Sequence, residues 1–154
     1  MKLLPSLERY FKISTIFCTA LLPALIATPV QAGLLTARFG PPSSGTGGAN
    51  PLGIPPSVPD MEISYLSSTN WETSVSIVPG ILYGKRQDFN NFYVTLGGGL
   101  IIDANGVGFG PYSAFGWESE GTFRYGIEYK QALGITGSGL ISPYAIRFGL
   151  GYEF

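Results

Sequence analysis

SPYAIRFGLGYEF, Ser142 to Phe154, is the stretch whose reading decides the fold. Tyr144, Ile146, Phe148, Leu150, Tyr152 and Phe154 fall on every second position and are all apolar or aromatic. Ala145, Arg147, Gly149, Gly151 and Glu153 lie between them and are small or charged. Successive side chains of a strand point to opposite faces. The stretch is therefore a strand with one continuous apolar face and one polar or empty face.

The same alternation runs back to Asp60. Met61, Ile63 and Tyr65 alternate with Glu62, Ser64 and Leu66, and Ser68-Thr69-Asn70 turns the chain. From Trp71 to Gly84 the odd positions Trp71, Thr73, Val75, Ile77, Pro79, Ile81 and Tyr83 share a face. The unbroken pattern favours one long strand with a bulge or bend at Pro79-Gly80, against a tight turn that would give two short strands. Gly84 to Asn91 (GKRQDFNN) reads as the most polar loop. Phe92–Asp103 and Val107–Glu118 flank Asn105-Gly106, a hairpin signal because both residues tolerate positive φ. Ser119-Glu120-Gly121 then leads into Phe123–Lys130, and Leu133–Ile141, rich in Gly, Thr and Ser, leads to the final strand. That makes six strands. Gly33–Gly40 (GLLTARFG), either a short strand or simply the start of the mature chain, would add a seventh, and a split at Pro79-Gly80 an eighth. No helix is readable after residue 32.

The two faces differ in chemistry. Glu62, Glu72, Glu118, Arg124, Glu128, Lys130, Arg147 and Glu153 lie opposite the aromatic face, together with glycines such as Gly97, Gly99, Gly108 and Gly126. In a narrow barrel these charges would point into the lumen and pair into a network, with the glycines leaving room for the longer side chains. A soluble secreted barrel or sandwich shows the same alternation with its apolar face inside.

An alternating final strand that stops on an aromatic residue, here Phe154, resembles the C-terminal strand of bacterial outer-membrane β-barrel proteins. The resemblance covers roughly Asp60 to Phe154. It implies an all-β fold, an antiparallel up-and-down transmembrane β-barrel in the bacterial outer membrane. Tyr144, Ile146, Phe148, Leu150, Tyr152 and Phe154 would then face lipid and carry the insertion signal. It also implies outer-membrane lipid and the barrel-assembly machinery as partners. Such barrels usually have an even number of strands from eight upward. Six strands therefore leave three resolutions: eight strands in total, a homo-oligomer in which several chains share one barrel, or a sheet that closes as an unusually small barrel. Trp71, Tyr83, Phe92, Trp117, Phe123, Tyr144 and Phe154 are expected near strand ends, as aromatic girdles at the two membrane interfaces.

The N-terminal 32 residues read as a cleavable signal peptide. Lys2, Arg9 and Lys12 form a positive region, Ile13–Ile26 is mostly apolar, and Val30-Gln31-Ala32 offers a cleavage site. A retained anchor helix is the alternative, but Pro23 and Pro29 interrupt a run already short of the ~20 residues needed to span. Phe17 is too bulky for the lipobox that Cys18 would need. Cleavage after Ala32 leaves 122 residues, no cysteine, and a net charge of −3 that argues against nucleic acid. Residues 33–59 are expected to form a Pro/Gly-rich flexible segment before a barrel domain at 60–154, because prolines and glycines crowd Pro41–Pro59.

Catalytic chemistry is hard to find. The chain has no histidine, which removes Ser-His-Asp and Cys-His sites and the usual zinc sites. Lipid A deacylases and palmitoyl transferases resemble it in size and barrel type, but the histidine they depend on has no counterpart here. The Gly97-Gly98-Gly99 and Gly106–Gly110 runs precede no helix and so do not read as phosphate loops. Glu118 with Glu120 could form a carboxylate pair, though glycoside hydrolysis needs the two held ~5–9.5 Å apart in a cleft. The expectation is a structural or interaction protein with no catalytic activity and no cofactor. A small-solute pore or a soluble ligand-binding barrel stands as the alternative.

Overall fold

The computed structural model describes residues 33–41, 59–103, 106–137 and 139–154. The expected signal segment and most of the Pro/Gly-rich stretch lie outside the described residues. The described chain is all β. Its strands are β1 (Gly33–Gly40), β2 (Asp60–Ser67), β3 (Trp71–Ser76), β4 (Gly80–Phe89), β5 (Phe92–Asp103), β6 (Gly106–Glu118), β7 (Phe123–Ala132), β8 (Gly134–Thr136), β9 (Gly139–Ile141) and β10 (Tyr144–Glu153). Antiparallel neighbours follow chain order from β1 to β7, β10 pairs with β7, and β1 pairs with β10. Eight strands thus close an up-and-down barrel within one chain, with β8 and β9 as an additional hairpin on β6. Closure satisfies the edges that an open sheet would leave unpaired.

Strand register fixes the shape of the barrel. Tyr125 pairs with Leu150, and the pairing then passes through Ala37, Ile63, Val75, Ile81, Leu100 and Phe109 to Ile135. One circuit therefore returns to the β7 line ten residues further on, at Ile135 rather than Tyr125. With ~3.3 Å per residue and ~4.8 Å between strands, that offset over eight strands tilts them by about 40° and climbs about 25 Å along the axis.

Three features depart from the sequence reading. The barrel begins at Gly33, not Asp60, because Leu35, Ala37 and Phe39 face outward while Leu34, Thr36 and Arg38 are buried. The long strand through Pro79 is two strands. Pro79 has no N–H for a ladder, Gly80 takes φ +118°, and the Ser76 hydroxyl accepts from Gly80 N at 3.1 Å to close the bend. Val75 pairs with Ile81, and because five residues separate them the odd positions of β3 and β4 lie on the same face across a reversal of direction. This is why the face pattern looked continuous. The polar loop at 84–91 is also mostly strand. β4 runs to Phe89 and only Asn90-Asn91 turn, with Asn90 at φ 56°. The hairpin expected around Asn105-Gly106 is present, with β5 and β6 pairing antiparallel from Asp103↔Gly106 onward; residues 104 and 105 lie outside the described residues.

The break between β7 and β8 also has a local cause. Leu133 N donates to Pro111 O at 2.9 Å, but proline has no N–H to return the bond. Phe109↔Ile135 nevertheless continues the register of Tyr112↔Ala132.

The ends of the barrel differ. Gly33 and Phe154 exchange backbone hydrogen bonds at 2.9 and 3.0 Å, which defines the near end. The short turns at 68–70, 90–91 and 119–122 lie there too. The turn at 77–79, the β5–β6 connection, the β8–β9 hairpin and the departure of the chain at Pro41 all lie at the far end.

Candidate functional site

Alternation places the charges inside. Glu62, Glu72, Glu118, Glu128, Lys130 and Arg147 are all buried, as are Arg38, Asp60 and Arg86. Six of the eight residues anticipated in the lumen form or adjoin one layer at mid-barrel. The other two do not. Arg124 and Glu153 pair with each other at the near-end mouth, where Glu153 is exposed and Arg124 a quarter exposed. Their strands point them inward, but the wall ends beside them.

Arg38 on β1 reaches across the lumen. Its Nη1 donates to Glu62 Oε1 at 3.0 Å, to Glu72 Oε1 at 3.1 Å and to the Ser64 hydroxyl. Its Nη2 donates to Tyr93 Oη at 3.2 Å and lies 3.5 Å from Glu128 Oε2. Lys130 Nζ donates to both oxygens of Glu62 at 2.8 Å and to Ser74 Oγ at 3.2 Å, and lies 3.3 Å from Glu128 Oε1. Arg147 donates to Asp60 at 2.6 Å, to Glu62 at 2.8 Å and to the Val78 carbonyl. The Tyr93 and Thr95 hydroxyls add donors, to Glu128 Oε2 at 3.0 Å and to Glu72 Oε2 at 2.8 Å. A charge removed from water is tolerated only when paired and hydrogen-bonded, and this layer meets both conditions by linking β1, β2, β3, β5, β7 and β10.

Below it, toward the near end, Arg86 binds Glu118 and Asp88 at 2.7 Å each and stacks its guanidinium 3.7 Å from the Tyr93 ring centroid. Toward the far end the interior turns apolar. Leu82, Ile101, Tyr112, Ala114, Ala132 and Ile141 form a buried cluster, with Pro79 and Pro143 fully buried beside it. A Cβ on Gly116 would overlap the Tyr93 ring, so this inner-face glycine is what lets the tyrosine lie across the lumen.

The carboxylates do not form a catalytic pair or a cation cage. Glu118 is buried, whereas Glu120 is exposed in the following turn. Glu62, Glu72 and Glu128 bring oxygens within 4.8 Å of one another, but Arg38, Lys130 and Arg147 already supply three fixed positive charges to that cluster.

The outer surface is the reverse of the lumen. Tyr144, Ile146, Phe148, Leu150, Tyr152 and Phe154 are all exposed, and so are Met61, Ile63, Ile81, Phe115 and Ile127 on the other strands. The spiral row from Tyr125 to Ile135 contains no polar side chain except the tyrosine hydroxyl. Among the expected girdle residues, Trp71, Phe92, Trp117, Phe123 and Phe154 stand at the near end. Tyr83 leans on Trp71 from mid-strand, with ring centroids 4.8 Å apart. Tyr65, Phe154, Tyr152 and Phe123 form a run of ring contacts at the near end. Only Tyr144 of the seven stands at the far end, against Tyr129. A groove of about 300 Å3 crosses the outer face over Gly116, walled by Phe92, Phe115, Trp117, Ile127, Tyr129 and Ile146.

Sequence reasoning missed Arg38, Asp60, Arg86 and Tyr93. Arg38 and Arg86 sat in stretches left open or read as loop, although Arg38 between Ala37 and Phe39 carries the same alternation. In comparisons with known proteins, no family model, curated protein or solved structure matches the chain.

Proposed function

We propose that the chain is an integral β-barrel of the bacterial outer membrane, exported by residues 1–32, with a structural or interaction role and no catalysis. The observation that carries this reading is the inverted distribution of side chains. Charges are buried and paired in one layer, while large apolar side chains are exposed around the whole circumference. A soluble monomer rarely exposes apolar patches beyond a few hundred Å2, and a ligand-binding barrel would keep its apolar face inside. Hydrocarbon solvates neither charges nor open strand edges; the eight-stranded wall is closed, and among the described residues its outward face carries one charge, Lys85, whose Nζ reaches back to the Thr69 carbonyl at the near-end turn. The ~40° tilt and the ~25 Å climb per circuit match the 35–45° tilt and ~25 Å apolar band of membrane barrels.

The pore alternative is disfavoured by the interior. The charged layer spans the lumen and the Leu82–Ile101–Ile141 cluster lies on its far side. Among the described residues nothing in the lumen supports a solute pathway, so the role proposed is that of a scaffold that holds its position in lipid and offers its surfaces to neighbours. Isolation of outer membranes from expressing cells tests the reading. The protein should be found there and migrate faster on a detergent gel before boiling than after. Recovery in the soluble fraction with no heat-dependent shift would overturn it.

A further inference from the structure

The β8–β9 hairpin occupies the place of a loop, yet it is built like wall. β8 continues β7 along β6, and Leu100, Phe109, Ile135 and Leu140 pair in register across β5, β6, β8 and β9. Phe109, Ile135 and Leu140 are 70%, 66% and 68% exposed. They are not surplus core, because Ile101 and Ile141 on the inner face are already buried. From Leu133 to Pro143 the sequence holds no charged residue.

Two physical demands locate this hairpin. Its exposed side chains favour an apolar medium. Its outer edge does not, because β9 has no strand partner but β8 among the described residues, and backbone groups left unpaired are strongly disfavoured in hydrocarbon. A boundary where acyl chains meet wet headgroups satisfies both. The register reaches that level: Ile135 stands one circuit, about 25 Å, above Tyr125 of the near-end aromatics, which is the height of the apolar band itself.

We propose that the β8–β9 hairpin docks on the bilayer, with Phe109, Ile135 and Leu140 seated at the headgroup–acyl boundary of the leaflet far from the termini. The surface continues the outer wall through Ile81↔Leu100 without a polar interruption, and its partner is lipid. The inference rests on the membrane reading above and adds a depth to one element.

A depth measurement tests it. Full-length protein carrying Cys18→Ser and one new cysteine, at Leu140, Phe148 or Asp88, is labelled with an environment-sensitive fluorophore in phosphatidylcholine vesicles. Emission is then quenched by lipids brominated near the carbonyl, by lipids brominated deep in the chain, or by aqueous iodide. The expected result is that the Leu140 label loses most emission to the shallow bromines and little to iodide. Phe148, on the outer wall of β10, should respond to the deep bromines, and Asp88 to iodide. A Leu140 label quenched by iodide as Asp88 is, with Phe148 still lipid-quenched, would show the hairpin in water and overturn the proposal alone. A Leu140 label shielded from both quenchers would mean a protein contact there and also overturn it. If Phe148 too answered only to iodide, the membrane reading itself would fall.

Discussion

Arg38 shows how much of the interior one side chain can hold. It contacts carboxylates from β2, β3 and β7 and a hydroxyl from β5, so its removal leaves several buried groups short of a partner. Truncating one member of a buried ion pair costs roughly 3–5 kcal/mol, because the remaining charge stays desolvated. Arg38→Met should therefore lower the urea midpoint of the detergent-solubilised barrel by a free energy of that size. Glu72→Gln added to it should cost less than the sum of the two single changes, since the pair shares one network. Strict additivity in that cycle would mean the two side chains do not interact. Tyr93→Phe is a milder test. It removes the proton given to Glu128 at 3.0 Å and should cost about 1–3 kcal/mol in the same denaturation series. A change below the error of the method would show that Glu128 is satisfied without it.

At the scale of elements, the bend between β3 and β4 and the final strand carry different risks. Gly80 sits at φ +118° with the Leu100 carbonyl where a Cβ would stand, so Gly80→Ala combines a strained backbone with a clash and should destabilise by more than ~1 kcal/mol. Unchanged unfolding would show that the bend tolerates another geometry. In β10, Ile146→Arg places a charge on the exposed face, four residues further from the near end than Leu150. At mid-bilayer that costs about 2–4 kcal/mol on a barrel's lipid face, so insertion into vesicles should fall sharply, as judged by the heat-dependent gel shift. Normal insertion would contradict the face assignment. These two elements also mark what sequence makes legible. The alternation in β10, β7 and β2 gave Arg147, Glu128, Lys130 and Glu62 their faces directly, because a period of two is local. It could not see a reversal of direction at Pro79-Gly80, since an odd number of residues round the bend preserves parity. Nor could it give height. Glu153 and Arg124 have the inward phase, yet the near-end rim leaves them at the mouth. Arg86 was hidden for the opposite reason, since a polar run such as GKRQDF looks like loop until its partner strand is known.

For the whole molecule the question is whether a barrel of this shape can conduct. Eight strands enclose an interior just wide enough for side chains to fill, and here two unlike layers occupy it. The charged layer has a network of fixed pairs rather than a ring of one sign, and the apolar cluster toward the far end offers an ion nothing to replace its water. An ion would have to displace Arg38, Lys130 and Arg147 from their carboxylates and then cross Leu82, Ile101 and Ile141. Each broken buried pair costs roughly 3–5 kcal/mol, and opening more than one at once makes passage rare. Purified protein reconstituted into planar bilayers should therefore show no steady conductance above the bare membrane. Arg38→Met should behave the same way, because the apolar cluster remains. Loss of the barrier at both levels, by Arg38→Met together with Leu82→Ser and Ile101→Ser, is the combination expected to admit current, provided that the heat-dependent gel shift shows the variant still folded. Steady conductance from the unmodified protein would mean that the interior rearranges in the bilayer, and the pore reading would then displace the scaffold.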